Sequence, residues 1–156
     1  MSEPLKLQPM TEAEYLAWRT ATVREYAEEK VLNGAWTQEE SIARSEESFD
    51  RLLPVGLETP DNWLHTVRRR EDDLVVGHLW FAKHERDAYL YDIVILEPYR
   101  RRGYGRGALR LFHAAARERG FVSTALHVFG HNTAARDLYL SEGYAITDLT
   151  MRKTLG

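Results

Sequence analysis

The chain has 156 residues, 44% of them hydrophobic and 29% charged, with a net charge of −3 at pH 7. That length favours one domain spanning 1–156, and the balance excludes disordered or collagen-like chains. A slightly acidic chain has no global positive field to gather nucleic acid or anionic lipid. With no cysteine, disulfides, thiolate nucleophiles and Cys-based zinc or iron–sulfur sites are excluded. The N-terminus lacks a basic region followed by an apolar run, and no apolar run approaches the ~20 residues that span a bilayer. A soluble, cytoplasmic protein is expected.

In chain order, a short strand begins at Leu5–Leu7 and ends by Pro9. Thr11 and Glu14 form a capping-box pattern, in which each side chain can satisfy a free amide beside the other. The helix it opens carries Tyr15, Leu16, Trp18, Val23, Tyr26, Ala27 and Val31, and should stop at Asn33–Gly34. Thr37 and Glu40 repeat the pattern ahead of a second helix, which runs to about Leu53, before Pro54. Trp63–Val67, Leu74–Phe81 and Tyr89–Ile95 are β-prone runs joined by polar turns, the signature of an antiparallel meander. A Gly-rich turn leads to a helix over about Gly105–Arg119, then a strand at Phe121–Val128, a short helix from Asn132 to about Ser141, and a last strand over Tyr144–Leu155. The order β-α-α-β-β-β-α-β-α-β predicts an α/β (α+β) fold with a mixed, mostly antiparallel sheet. Tyr89 to Val128 is long enough for a right-handed parallel crossover.

Chemistry concentrates in Tyr89–Leu109, YLYDIVILEPYRRRGYGRGAL. Gly103, Gly105 and Gly107 allow a tight turn and close approach of a ligand to the backbone. The first amides of the following helix lack intrahelical partners and sit at the positive end of its dipole. Such a site suits an anion such as a pyrophosphate, with Arg100, Arg101, Arg102 and Arg106 as added donors. It is neither a Walker A loop nor a Rossmann fingerprint, since no Lys-Ser/Thr follows Gly107 and two helices and a meander come first. His127 and His131 are four apart, but Phe129-Gly130 between them reads as a loop, so no metal site is expected. Arg68–Arg70 reads as a solvated turn.

Two motifs carry a resemblance. Arg100-x-x-Gly103-x-Gly105 matches the R/Q-x-x-G-x-G/A motif of the GCN5-related N-acetyltransferases, the GNAT superfamily. It follows Ile95-Leu96-Glu97-Pro98-Tyr99, which resembles the family's approach to that motif with the proline shifted by one place. Asn132-x-x-Ala135-x-x-Leu138-Tyr139-x-x-x-Gly143-Tyr144 matches the family's second signature. The resemblance covers essentially the whole chain.

It implies acetyl-CoA as co-substrate and acyl transfer to an amine by direct attack. The pyrophosphate is then expected on the turn from Arg100 through Arg101, Arg102, Gly103, Tyr104 and Gly105 to Arg106. The strand before the turn splays from its parallel neighbour, and the backbone of Ile93 and Ile95 is expected to pair with pantetheine. Asn132 is similar to the family asparagine that bonds the pantetheine arm, and Ala135 belongs to the same motif. Tyr139 matches the tyrosine placed as general acid toward the departing thiolate.

The general base is read from the residues. Asp92, a carboxylate within an apolar strand, needs a partner or a purpose. By strict alternation Tyr89 and Tyr91 lie on its opposite face, so only one set can reach a cleft. Glu28 and Glu29, and His127 and His131, are weaker candidates. The first two helices are aromatic and acidic, which would favour a cationic small-molecule or peptide amine. A homodimer is compatible with these features; nucleic-acid and membrane partners are not expected. Two alternatives are a catalytically idle acyl-CoA-binding module and a regulator that binds ATP or NAD at the Arg/Gly turn.

Overall fold

The computed structural model describes residues 4–156. Strand β1 (Leu5–Pro9) leads into helix α1 (Glu12–Leu32) and helix α2 (Ser41–Leu52). A meander follows: β2 (Asn62–Arg69), β3 (Val75–His84) and β4 (Asp87–Ile95). Helix α3 (Tyr104–Glu118), strand β5 (Thr124–Leu126) and helix α4 (Thr133–Ser141) complete the regular structure. The sheet order is β1-β2-β3-β4-β5. The first three pairings are antiparallel, and β4 pairs with β5 in parallel. The mixed fold and the parallel pair agree with the sequence reading.

The sheet separates two apolar layers. On one face Trp18 of α1 and Phe49 of α2 meet Leu64 and Trp80. On the other, Leu109, Phe112 and Ala116 of α3 cover Val67, Leu79, Phe81 and Leu90. Leu109, Phe112 and Ala116 are spaced by three and four residues, which puts them on one stripe of the helix. Aliphatic and aromatic side chains buried to this extent each contribute roughly 1.5–3 kcal/mol.

Both capping boxes form, with different outcomes. Glu14 N–H donates to Thr11 Oγ1 and Thr11 N–H to Glu14 Oε1, opening α1 as expected. The same exchange between Thr37 and Glu40 closes a separate turn ahead of α2. Glu40 caps α2 by position and makes no side-chain capping bond.

Two expectations are corrected. The first concerns Tyr144–Leu155, which is not a strand. Residues 145–156 have no regular structure and pair with no strand among the described residues. Extended backbone needs an edge to pair with, and none lies against this segment. Ile146, Leu149, Met151 and Leu155 are exposed instead.

The second concerns the faces of β4. Trp80 pairs with Asp92 and Phe81 with Leu90, so Tyr91 is an extra residue. This β-bulge breaks the alternation. Ala88 and Leu90 face α3, and so do Ile93 and Ile95. Tyr91 and Asp92 both turn toward the α1 layer: Tyr91 stacks on Trp80 with ring centroids 4.5 Å apart, and Asp92 meets Trp18. The opposition between Tyr91 and Asp92 inferred from period two therefore does not hold.

Candidate active site

The β4–β5 pairing consists of Ala88 with Thr124, Tyr89 with Ala125 and Leu90 with Leu126. It stops where the bulge begins. Beyond that point the two strands diverge around a cleft with a cavity volume of about 120 Å³. Tyr91, Asp92 and Ile93 line one wall, His127, Val128 and Phe129 the other, and Asn132, Ala135 and Tyr139 come from the loop and helix α4. Asp92 and Tyr139, far apart in sequence, thus share one cavity.

Asp92 Oδ2 accepts a 2.9 Å hydrogen bond from Trp18 Nε1. Trp18 is 2% exposed, wedged edge-on against Trp80 and Phe49. Burial raises the Asp92 carboxyl to about 7, against the lowering effect of the Trp18 bond and with a further rise from Glu25. A carboxylate poised near neutrality can accept a proton and release it again at the same pH. Tyr139 is pushed up to about 12, first by burial and then by Tyr144 and Asp92, so its hydroxyl stays protonated.

Leu96 N–H donates to Val76 O on β3. Successive residues of an antiparallel strand turn their polar groups to opposite edges. Those of Ile93 and Ile95 therefore point away from β3, toward the splay. In the structure Arg100 Nε donates to Ile95 O at 2.7 Å.

The turn after β4 is open to an anion. Gly103 caps α3 at φ +79° and brings no side chain to the cap. The first intrahelical bond runs from Gly107 N–H to Gly103 O, so the amides of Tyr104, Gly105 and Arg106 precede it. Arg101 occupies the left-handed region at φ +65°, and Arg101 and Arg102 are exposed. The Arg106 side chain is committed elsewhere: it donates to Glu142 Oε1 at 2.6 Å and to Ser141 Oγ at 3.1 Å. Only its amide faces the turn. A Cβ at Gly105 would meet Leu138 Cδ2 of α4 at 3.7 Å, an ordinary van der Waals contact.

Asn132 accepts from Ala135 N–H at 3.2 Å and so caps α4, which leaves its amide donors for a ligand. Of the weaker acid–base candidates, His127 lines the cleft, and His131 pairs with Glu29 across to α1. Glu25 of α1 is raised by burial and by Glu28 and Glu29, against the lowering effect of Arg100.

Sequence reasoning missed Trp18 as a partner of Asp92 and Tyr91 as a cleft residue. A buried indole N–H seeks an acceptor and a buried carboxylate seeks a donor. The packing of α1 across β4 brings those two needs together. The bulge at Tyr91 has no comparable signal in the sequence.

Comparison with known proteins is consistent with this geometry. The acetyltransferase (GNAT) family model matches residues 19–144. The uncharacterized N-acetyltransferase YycN of Bacillus subtilis (strain 168) is 41% identical over 155 residues, 97% of this chain and 99% of its own. Its crystal structure superposes with a TM-score of 0.92, over 97% of this chain and 98% of its own. A second uncharacterized N-acetyltransferase of that organism, YdgE, is 32% identical, over 96% of this chain and 97% of its own. The fold is also that of AAC(6')-Iy, at 15% identity and a TM-score of 0.60, over 97% and 98% of the two chains. The chain belongs to the acetyltransferase (GNAT) family and is an acetyltransferase.

Proposed function

We propose that the protein moves an acetyl group from acetyl-CoA to a primary amine of a small molecule or peptide, by direct attack in the β4–β5 cleft. The observation that carries this reading is the convergence of Asp92 and Tyr139 on one cavity beside an uncapped helix start. The α3 amides, with Arg101 and Arg102, would hold the pyrophosphate. Ile93, Ile95 and Asn132 would hold the pantetheine arm; Arg100 would give up the Ile95 carbonyl as it binds. AAC(6')-Iy, of the same fold, has been solved with the bisubstrate analogue CoA-S-monomethyl-acetylneamine, which supports placing both substrates in one cleft.

In this reading Asp92 takes a proton from the acceptor ammonium. The freed nitrogen attacks the thioester carbon, the N–C bond forms and the C–S bond breaks. Tyr139 supplies a proton to the departing sulfur. A phenol raised to about 12 is a weak acid, but the desolvation that raises it also raises the proton affinity of a thiolate in the same cleft. Glu25, Glu28 and Glu29 along α1 favour an acceptor that carries positive charge.

Thiol release from acetyl-CoA against a panel of primary amines tests the assignment. Release should depend on the amine. Tyr139→Phe should lower kcat by ~10²–10⁴-fold, the worth of general acid catalysis, with the KM for acetyl-CoA nearly unchanged. Turnover of the Phe variant within threefold of wild type, with chemistry shown to limit the rate, would remove Tyr139 from the reaction.

A further inference from the structure

Helix α1 carries a second face besides the one that packs on α2. Glu14, Ala17, Trp18, Ala21, Thr22 and Glu25 recur every three or four residues and share it. Beneath them lies a groove with a cavity volume of about 220 Å³, larger than the cleft. Strand register sets Thr66, His78 and Val94 side by side as its floor, one each from β2, β3 and β4. Val75 and Leu96 extend that floor. Leu64 and Trp80, on the α2 side, are buried. His78, Val94 and Leu96 are only half-buried, and Ala17 and Ala21 are exposed. Two alanines on the helix wall leave this space open.

The charge of the groove is one-sided. Among the described residues two carboxylates line it, and no lysine or arginine does. Glu14 is held by Arg68 at 2.8 Å, while Glu25 forms no ion pair among the described residues. Arg100 lowers the Glu25 carboxyl, but burial, Glu28 and Glu29 together outweigh it. Burial also holds the His78 imidazole below its ordinary value, against the raising effect of Glu14, so the floor is neutral at pH 7. His78 Nδ1 is buried with no hydrogen-bond partner among the described residues. The groove abuts the active site. Trp18 is one of its walls, and the same indole donates Nε1–H to Asp92 Oδ2. Glu25, at its other end, acts on the Asp92 carboxyl through its charge.

We propose that this groove is a second binding site, for an organic cation with an apolar body, and that its occupant acts on Asp92 through Trp18 and Glu25. The ammonium pairs with Glu25, and an aliphatic or aryl body covers Val75, Val94 and Leu96. From Ala17 to Glu25 the helix wall spans about 12 Å at ~1.5 Å per residue, the scale of a short alkylammonium laid along it. An anion would meet two carboxylates and no cation; a neutral chain would leave Glu25 unpaired. A positive charge at Glu25 offsets the negative charge that Asp92 feels, which favours loss of the Asp92 proton. Occupancy depends neither on the identity of the acceptor amine nor on Asp92 serving as a base.

NMR titration of the full chain with hexylammonium tests it, with hexanol and hexanoate as the neutral and anionic controls. Hexylammonium should move the Trp18 indole N–H and the Val94 and Leu96 methyls saturably. Hexanol should bind roughly two- to fivefold more weakly, the scale of one partly exposed ion pair, and hexanoate should leave all three signals in place. With hexylammonium bound, the Asp92 carboxyl ¹³C signal should titrate lower by about a few tenths of a pH unit. The double variant Ala17→Leu, Ala21→Leu fills the groove with good helix formers; its far-ultraviolet spectrum should match wild type and its hexylammonium shifts should be lost. Shifts confined to Tyr91 and Phe129, which would put the cation in the cleft, would overturn the site. So would equal binding of hexanoate, or binding that survives the double substitution. An Asp92 midpoint unmoved by bound hexylammonium would overturn the action on Asp92.

Discussion

Asp92 answers to two residues that are remote in sequence or easily misread. Tyr91, as the bulge, decides which face the carboxylate occupies. Burial chiefly sets how readily it ionises, and the Trp18 N–H donor favours the charged form against that burial. The sequence marks Asp92 as anomalous, a charge in an apolar strand, but reads Trp18 only as part of a core stripe. Pairing them requires knowing that α1 lies across β4. Trp18→Phe should therefore act on ionisation more than on fold. Losing a hydrogen bond to a charged group removes ~1.5–3 kcal/mol, equivalent to about one to two pH units. If Asp92 is the base, as proposed, the acid limb of kcat/KM should lie near 7 in wild type and move upward by about that amount. The comparison variant Trp18→His keeps a ring N–H and should move it less. A pH profile of Trp18→Phe that overlays wild type would show that the bond does not govern Asp92.

At the scale of elements, the site depends on how α3, α4 and β5 are set against one another. Strand and helix identities up to α4 were legible, because capping boxes, glycine stops and apolar period mark them locally. The splay and the bulge were not, since both are properties of pairing between strands. The segment after Tyr144 shows the converse: it reads as a strand, but a local reading supplies no partner. Gly105 separates two accounts of one motif position. If its role is to admit pyrophosphate, any side chain should weaken CoA binding. If its role is the contact with Leu138 at 3.7 Å, Ala should fit at ordinary van der Waals distance and gain up to ~1 kcal/mol of helix propensity. Val should then press its added methyls on α4, costing about 1–3 kcal/mol and shifting the helix that carries Tyr139. The expected result is CoA affinity by calorimetry near wild type for Gly105→Ala, and a loss of both stability and kcat for Gly105→Val. A CoA affinity that collapses in the Ala variant would restore the first account.

Across the whole molecule, the cost of holding Asp92 ready for proton transfer should be visible in stability. Its carboxyl lies near 3.8 when unfolded and at about 7 when folded. Between those values the native chain binds the extra proton, so stability falls as pH rises, by up to ~1.4 kcal/mol per unit. His65 works in the opposite direction. It is 7% exposed and stacked on Phe81, and burial followed by Arg119 lowers it from 6.5 to about 4. Between those values the unfolded chain binds the extra proton, so stability rises with pH at a similar slope. The two contributions oppose each other from about pH 4 to 6.5 and nearly cancel. Asp92→Asn removes one of them while keeping an oxygen for the Trp18 bond. The variant should match wild type near pH 4 and become progressively more stable than it, reaching at most about 4 kcal/mol above pH 7, while losing turnover. Urea denaturation of both chains across this range isolates the effect, because every other titrating group is common to the two curves. A stability difference that stays constant with pH would mean that Asp92 does not titrate in this window, and the acid limb assigned to it would then belong to another group.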